Sequence, residues 1–146
     1  MKTLKLNSFT DIKREGKSFY WASFFLPKNS KKNAGILYSI CRYFDDIADK
    51  NNDDQTLYLR NSINEIRNNK ENDVSIFLKK NKIRNSIFTD LLEGLILDQK
   101  KMVIKNKKEL IKYCYHVAGT VGLMMSKIIG AEHKNAPRSA IDLGIG

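Results

Sequence analysis

Hydrophobic residues recur at helical spacing along most of the chain. The pattern is clearest in residues 28–50, whose apolar positions follow an i, i+3, i+4, i+7, i+11 series: Leu37, Ile40, Cys41, Phe44 and Ala48. This spacing places the apolar side chains on one face and predicts an amphipathic α-helix over 28–50. No segment shows the alternation of apolar and polar residues that is typical of a β-strand. The pattern therefore predicts an all-α fold.

Shorter apolar stretches, separated by polar residues, predict further helices. The predicted elements are, in chain order, a short buried helix at 17–26, a helix capped by Asp53 or Asp54, a loop at 68–73, one or two short helical pieces within 74–88, a helix at 86–100, a long helix at 109–130 and a last helix from Pro137 onward. Their expected inward positions are Leu59, Ile63, Ile66, Leu91, Leu92, Leu95, Leu110, Cys114, Val117, Val121, Met124 and Ile128. Gly130 should end the long helix, because glycine readily adopts the left-handed conformation that follows a helix.

The charge of the chain narrows the classes of partner. The chain has 146 residues, enough for one domain, and a formal net charge of +10. Such a charge suits nucleic acid, an anionic membrane surface or a polyanionic substrate such as diphosphate. The basic residues are mostly scattered lysines, and they do not interleave with aromatic residues as in a nucleic-acid-binding groove. The sequence therefore argues against a nucleic-acid partner.

Cysteine and histidine usage indicates neither a disulfide framework nor a zinc site. Cys41 and Cys114 lie far apart in apolar helical stretches, so two buried free thiols in a reducing cytoplasm are expected. His116 and His133 lack the repeated Cys/His spacing of a zinc site. No apolar run reaches the roughly 18 residues of a membrane span, and we see no signal-peptide pattern. We expect a cytoplasmic protein, and peripheral contact with the inner face of the membrane stays open.

The segment with the most chemical information is Arg42-Tyr-Phe-Asp-Asp-Ile-Ala-Asp49. On a helix, Asp45 and Asp49 lie one turn apart on one face, where two carboxylates repel each other. A divalent cation relieves this repulsion, and an all-oxygen site suits Mg²⁺, particularly when substrate phosphates complete its coordination. Arg42 and Tyr38 share the stripe, and an arginine there could meet a diphosphate. The alternative interpretation is a solvated acidic helix end.

Two other segments carry weaker signals. In residues 17–27, Lys17 and Ser18 could bind phosphate, and the aromatic residues could line an apolar cavity or form part of the core. In residues 113–122, two glycines stand within a predicted helix, where each costs about 1 kcal/mol relative to alanine. Such glycines indicate close approach by either a neighbouring helix or a substrate chain.

Taken together, the segments SFYWASFFLP, CRYFDDIAD and YCYHVAGTVGLM resemble the squalene/phytoene synthase family in order and spacing, and its bacterial phytoene synthases most of all. DLLEGLILDQKK is similar to the family's intermediate helix. The resemblance implies an all-helical isoprenoid synthase fold and a prenyltransferase of carotenoid biosynthesis that depends on Mg²⁺. It further implies head-to-head condensation of two prenyl diphosphates, expected to be geranylgeranyl diphosphate, through a cyclopropyl diphosphate. A nicotinamide cofactor is not expected.

The same resemblance implies roles for individual residues. Asp45 and Asp49 would form the first metal-binding motif and, with Arg42, the catalytic residues. The residues implied to bind substrate are Lys17, Ser18, Phe19, Tyr38, Tyr113, Ala118, Val121 and Gly122. Arg42, Ser18 and Lys17 would contact diphosphate, and the remaining ones would line the prenyl cavity.

The resemblance also bears on the extent of the domain. Residues 1–146 are expected to be a single partial domain that stops before the family's second aspartate-rich motif. Such a chain should expose apolar surface and be inactive alone, and a second polypeptide could carry the missing half. The alternatives are a squalene- or hydroxysqualene-type synthase fragment and a non-catalytic assembly or binding relative.

Overall fold

A computed structural model describes residue 21 and residues 23–99, 103–131 and 133–145, and these contain helices but no strand. The helices are α1 (Lys28–Asp49), α2 (Asp53–Arg67), α3 (Asp73–Lys80), α4 (Asn85–Asp98), α5 (Lys107–Cys114), a π-helical turn (Tyr115–Gly119), α6 (Thr120–Ile128) and α7 (Ala136–Ile145). The predicted all-α class is confirmed. In this part of the chain, no helix has the length and apolar character needed to cross a membrane. Most of the predicted helix at 17–26 lies outside the described residues.

Helix α2 begins one residue earlier than the sequence suggested. The capping residue is Asn52, whose side-chain oxygen accepts a hydrogen bond from the Gln55 backbone N–H at 2.9 Å. The prediction that Asp53 or Asp54 caps this helix was therefore wrong. Both aspartates lie in the first turn instead, where their negative charge interacts favourably with the exposed N–H groups.

The long helix predicted at 109–130 is interrupted by the π-helical turn. Two side chains compete there for main-chain carbonyl oxygens. His116 Nδ1 lies 2.7 Å from the Lys112 carbonyl, and Thr120 Oγ1 donates to the His116 carbonyl at 2.7 Å. Side chains that occupy carbonyls in this way weaken the regular helical ladder. Helix α5 also contains no buried residue, so the inward position predicted for Leu110 was wrong.

Helix α4 is the central element. It packs against α1, α2, α6 and the π-helical turn. Its buried residues are Ile87, Phe88, Thr89, Leu91, Leu92, Gly94, Leu95 and Ile96. The fully buried rings of Phe44 and Phe88 meet edge to face at 5.5 Å and join α1 to α4. The predicted inward positions Leu91, Leu92 and Leu95 are thus confirmed.

Glycines allow α7 to lie directly on α6 and the π-helical turn. A Cβ atom on Gly122 would stand 2.2 Å from the Ala140 carbonyl oxygen, and one on Gly144 would stand 2.6 Å from the Ala118 carbonyl oxygen. The main chains therefore approach more closely than any other residue type permits. The turn between the two helices uses Gly130, whose φ of +74° confirms its predicted role at the helix end.

Candidate active site

A cavity of about 140 Å³ opens between the C-terminal ends of α1 and α4. It is lined by Asp45, Ala48, Asp49, Asn51, Leu95, Asp98 and Gln99. The structure therefore places Asp45 and Asp49 on one wall, as the helical spacing predicts, and adds Asp98 from the facing helix. Carboxylates from two helices thus converge on a small polar space, and we call it the acidic cavity.

The donor atoms at the acidic cavity suit a hard cation. Carboxylate oxygens of Asp45, Asp46 and Asp49 all lie within 4.8 Å of one another. Opposite ligands of an octahedral Mg²⁺ are about 4.2 Å apart, since each bond is about 2.0–2.1 Å. These side chains can therefore reach a shared ion through small rotations, and the all-oxygen donor set fits Mg²⁺ better than a softer metal.

Arg42 neutralises part of this negative charge. Its Nη1 lies 2.8 Å from Asp45 Oδ2, and its Nη2 lies 3.0 Å from Asp46 Oδ1. The guanidinium thus bridges two of the three carboxylates in the cluster. Its side chain is 42% exposed, so it remains accessible to an anion that arrives from solvent. An arginine in this position can exchange its carboxylate partners for phosphate oxygens of similar geometry.

The electrostatics of the cluster act mainly on Asp45. Burial raises the pKa of the Asp45 carboxyl, the negative charge of Asp49 raises it further, and Arg42 opposes both effects. Two like charges on one helix face therefore raise the free energy of the folded chain. A bound cation would remove this penalty, which is the behaviour expected of a metal-binding pair.

Neighbouring Cys41 has no part in this chemistry. Burial, with a smaller contribution from the charge of Asp45, raises the pKa of its thiol to about 12. The thiol therefore stays protonated at neutral pH and is a poor nucleophile or metal ligand. Cys41 and Cys114 are both free, as predicted, although each is partly rather than fully buried.

Tyr113 reaches the wall of the acidic cavity. Its hydroxyl donates a hydrogen bond to Asp98 Oδ1 at 2.8 Å, and this bond raises the pKa of the Tyr113 phenol. The resemblance implied that Tyr113 lines the prenyl cavity, and the structure places its hydroxyl beside the carboxylates. The predicted place of Tyr113 in a prenyl cavity stays a prediction.

Sequence reasoning missed Asp98 and Gln99. A signal was available, because Leu91, Leu95 and Asp98 follow an i, i+4, i+7 series and so share the inward stripe of α4. A carboxylate on a stripe of buried leucines has to be explained by either a partner or a ligand. In the structure, Asp98 has both Tyr113 as partner and an exposed position at the acidic cavity.

A second, larger space lies between α6 and α7. This apolar groove, of about 580 Å³, is lined by Val117, Ala118, Val121, Gly122, Met125, Ser126, Ile129, Ala131, Ala136, Ser139, Ala140, Leu143 and Gly144. It gathers three of the predicted cavity residues, Ala118, Val121 and Gly122. Leu143 is 85% exposed at its edge, so the groove is open to solvent.

The other predicted site residues occupy different places. Tyr38 is partly buried on α1, about two turns before Asp45. Lys17, Ser18 and Phe19 lie outside the described residues. Close approach at Gly122 involves the Ala140 backbone of α7, so a neighbouring helix occupies that side of the glycine.

The sequence model of the family described as squalene/phytoene synthase matches residues 12–146. The chain belongs to this family. The resemblance noted from the three motifs is thereby confirmed, and members of the family are prenyltransferases that bind prenyl diphosphates. The relationship is distant, because identity with the two bacterial phytoene synthases described next is below 30%.

Individual relatives support the same assignment. The 15-cis-phytoene synthase of Pantoea ananas is 27% identical over 152 residues, which cover 88% of this chain and 48% of the relative. The phytoene synthase of Thermus thermophilus is 28% identical over 144 residues, with 91% and 48% covered. A crystal structure of a dehydrosqualene synthase in complex with ligand superposes with a TM-score of 0.79 at 29% identity, over 92% of this chain and 50% of that one. The isoprenoid synthase fold is therefore confirmed, and the chain spans about half the length of these relatives.

Proposed function

We propose that this chain contributes one half of a head-to-head prenyl synthase of the phytoene synthase type. The observation that carries the proposal is the acidic cavity, where Asp45 and Asp49 face Asp98 beside Arg42. The proposed substrate is geranylgeranyl diphosphate, since the relatives over most of the chain include phytoene synthases. Two molecules would condense through a cyclopropyl diphosphate. A dehydrosqualene-type product is the second candidate, favoured by the likeness to the dehydrosqualene synthase structure.

The proposed reaction uses Asp45, Asp49, Arg42, Tyr113 and the apolar groove. Asp45 and Asp49 would hold Mg²⁺, which when bound would supply positive charge to neutralise the departing diphosphate. Arg42 leaves its carboxylate partners and binds phosphate oxygens through two parallel N–H groups. Tyr113 orients Asp98 through the 2.8 Å hydrogen bond. The apolar groove beside Val121 receives the prenyl chain, and a second half that covers its open edge would keep water away from an allylic cation.

We further propose that the 146-residue chain is inactive by itself. One carboxylate cluster binds one metal–diphosphate group, whereas the proposed reaction uses two diphosphates. The groove and helices α5 and α7 also expose apolar side chains, among them Ile111, Ile129 and Leu143. This exposure agrees with the apolar surface expected from the sequence. A second half, on the same or another polypeptide, would cover that surface and supply the other acidic motif.

Retention of the carboxylates argues against a purely structural relative. Asp45 and Asp49 repel each other, and a scaffold gains nothing from keeping such a pair on one helix face. A non-catalytic assembly protein would tolerate their replacement by neutral residues without loss of its role. The proposal therefore predicts that function, rather than folding, depends on these two side chains.

A chimera tests the proposal directly. This chain would replace the matched half of the Pantoea ananas phytoene synthase. The resulting chimera would be supplied with labelled geranylgeranyl diphosphate and Mg²⁺. We expect a head-to-head product from the chimera, none from the isolated chain, and none after chelation with EDTA. Asp49→Asn in the chimera should abolish the product, whereas Gln55→Leu, on the first turn of α2, should not.

Each alternative has its own outcome in this assay. Product from farnesyl diphosphate alone would favour the dehydrosqualene-type reaction. Product from the isolated chain would overturn the proposed inactivity. A chimera that folds by circular dichroism, yet forms product equally well with and without Asp49→Asn, would refute the assigned role of the acidic cavity.

A further inference from the structure

Gln99, the residue directly after α4, connects the ends of three helices. Its Nε2 donates a hydrogen bond to the Ala48 carbonyl at 2.9 Å, near the end of α1. Its Oε1 accepts a hydrogen bond from Thr56 Oγ1 at 2.9 Å, in the first turn of α2. Both groups of one amide are therefore used, and each is used by a different helix.

The two ends that Gln99 joins are those that carry the carboxylates. Ala48 immediately precedes Asp49, and Gln99 immediately follows Asp98. The Ala48 carbonyl belongs to the last turn of α1, where main-chain oxygens lack helical partners. It accepts from the Asn51 N–H at 3.0 Å as well as from Gln99. The amide thus links the end of α4 to the end of α1 at the acidic cavity.

The Ala48 carbonyl fixes the orientation of the amide. A glutamine amide can be turned so that its oxygen and nitrogen exchange places, and its partners decide between the two arrangements. The Ala48 carbonyl can only accept, so it requires the nitrogen. The Thr56 hydroxyl can both donate and accept, and it lies 2.9 Å from Gln99 Oε1 and 3.1 Å from the Asn52 carbonyl. Its one proton is shared between these two oxygens, so Thr56 supports the amide without deciding its orientation.

Gln99 adds a directed polar contact to the apolar packing of α1 on α4. Buried Ala48 and Leu95 also line the acidic cavity, so apolar contacts reach the C-terminal ends of both helices. Gln99 is partly buried and lines the same cavity, so its hydrogen bonds are shielded at the position where the carboxylates face each other. Apolar contacts hold the two ends together, and the hydrogen bond from Gln99 to Ala48 selects one alignment of these ends.

We propose that Gln99 is a positioning residue that holds Asp98 of α4 opposite Asp45 and Asp49 of α1, so that carboxylates from both helices face one divalent cation. The inference rests on the proposed function of the acidic cavity as a metal site. Both polar atoms of the Gln99 amide are occupied by hydrogen bonds within the protein, so Gln99 acts through the Ala48 carbonyl rather than as a ligand. Removing a residue that orients metal ligands from outside the coordination shell commonly lowers metal affinity about 10- to 100-fold.

The inference is tested by measuring Mn²⁺ binding to the whole 146-residue chain. The readout is the electron paramagnetic resonance signal of free Mn²⁺, which decreases as the ion binds. Gln99→Met keeps the length of the side chain and removes both hydrogen bonds. We expect Mn²⁺ affinity to fall about tenfold or more. Thr56→Val removes the hydroxyl that contacts Gln99 Oε1 and the Asn52 carbonyl but leaves the bond from Gln99 to Ala48, so it should cause a smaller loss. It also keeps the inference testable if Gln99→Met fails to fold.

Val74→Ala is the matched control for stability. It removes two methyl groups from a fully buried side chain on α3, which does not line the acidic cavity. It should lower the unfolding midpoint in urea and leave Mn²⁺ affinity unchanged. Equal Mn²⁺ affinity in the parent chain, Gln99→Met and Thr56→Val would overturn the inference. A purely structural role gives that result together with lowered unfolding midpoints.

Asp49→Asn separates this inference from the proposed function. Loss of Mn²⁺ binding in Asp49→Asn with full binding in Gln99→Met would keep the metal site and reject the role of Gln99. Unchanged Mn²⁺ binding in Asp49→Asn, or no binding by the parent chain, would reject the metal site and remove the basis of both.

Discussion

Replacing Asp49 with asparagine should stabilise the metal-free chain while it removes metal binding. Asp49 is the last residue of α1, which has no basic residue in its last turn. Negative charge there interacts unfavourably with the C-terminal carbonyl groups of the helix. It also repels Asp45, one turn earlier on the same face. Asparagine has almost the same shape and carries no charge, so the substitution isolates the electrostatic contribution.

The expected gain follows from these two effects. A like-charge pair at i, i+4 costs about 0.2–0.5 kcal/mol, and an unfavourable charge at a helix end costs about 0.3–1 kcal/mol. Asp49 is exposed, so solvent reduces both contributions. We expect the free energy of unfolding to rise by about 0.5–1 kcal/mol, or about 1–4 °C in Tm for a chain of this size.

Urea unfolding at low and high salt, with Asp46→Asn as control, measures this gain. Asp46→Asn removes the same charge from the same turn, but it also breaks the 3.0 Å ion pair with Arg42. Exposed pairs of this kind contribute about 0.2–1 kcal/mol, so the control should show little net change. The gain of Asp49→Asn should shrink in 1 M salt, where the screening length falls to about 3 Å.

The pH dependence has a definite sign. The native pKa of Asp45 is raised, so between the ordinary aspartate pKa of about 3.9 and the raised value the folded chain binds more protons than the unfolded chain. The stability of the parent chain therefore falls as pH rises through this window. The part of the Asp49→Asn advantage that comes from repulsion of Asp45 should therefore appear as pH rises through the raised pKa of Asp45. Lower stability of Asp49→Asn than of Asp46→Asn at neutral pH and low salt would refute this reasoning.

Three further predictions address other parts of the molecule. Gly122→Ala should lower the free energy of unfolding by about 1–3 kcal/mol, because its Cβ would meet the Ala140 carbonyl oxygen at 2.2 Å; unchanged urea unfolding would contradict the close packing of α7. Phe88→Ala should remove about 3–5 kcal/mol, measured in the same way, because the ring is fully buried; a loss below 1 kcal/mol would place Phe88 outside the core. In a Cys114→Ser variant, a thiol reagent should label Cys41 slowly at pH 8 and faster as pH rises towards the thiol pKa of about 12. If labelling at pH 8 is already rapid, and unfolding in urea does not accelerate it, the thiol is not protected.

The local features of this protein were determined by the sequence itself. Helical spacing predicted α1, its buried positions such as Leu37 and Phe44, and the shared face of Asp45 and Asp49. These predictions succeeded because residues three and four apart are neighbours on any α-helix, whatever surrounds it. The three motifs also indicated the family, since their order and spacing are properties of the chain alone.

The tertiary structure decided what faces those residues. Asp98 comes from α4 and reaches the acidic cavity only because apolar packing sets α4 against α1. The Gln99 hydrogen bond to Ala48 joins residues 51 positions apart, and the helical spacing of apolar residues cannot predict a contact at that separation. The π-helical turn and the exposure of Leu110 likewise depend on competing hydrogen bonds and on which helices lie nearby. A single sequence shows which face of each helix is apolar. Which helix packs against that face depends on how all the apolar faces fit together.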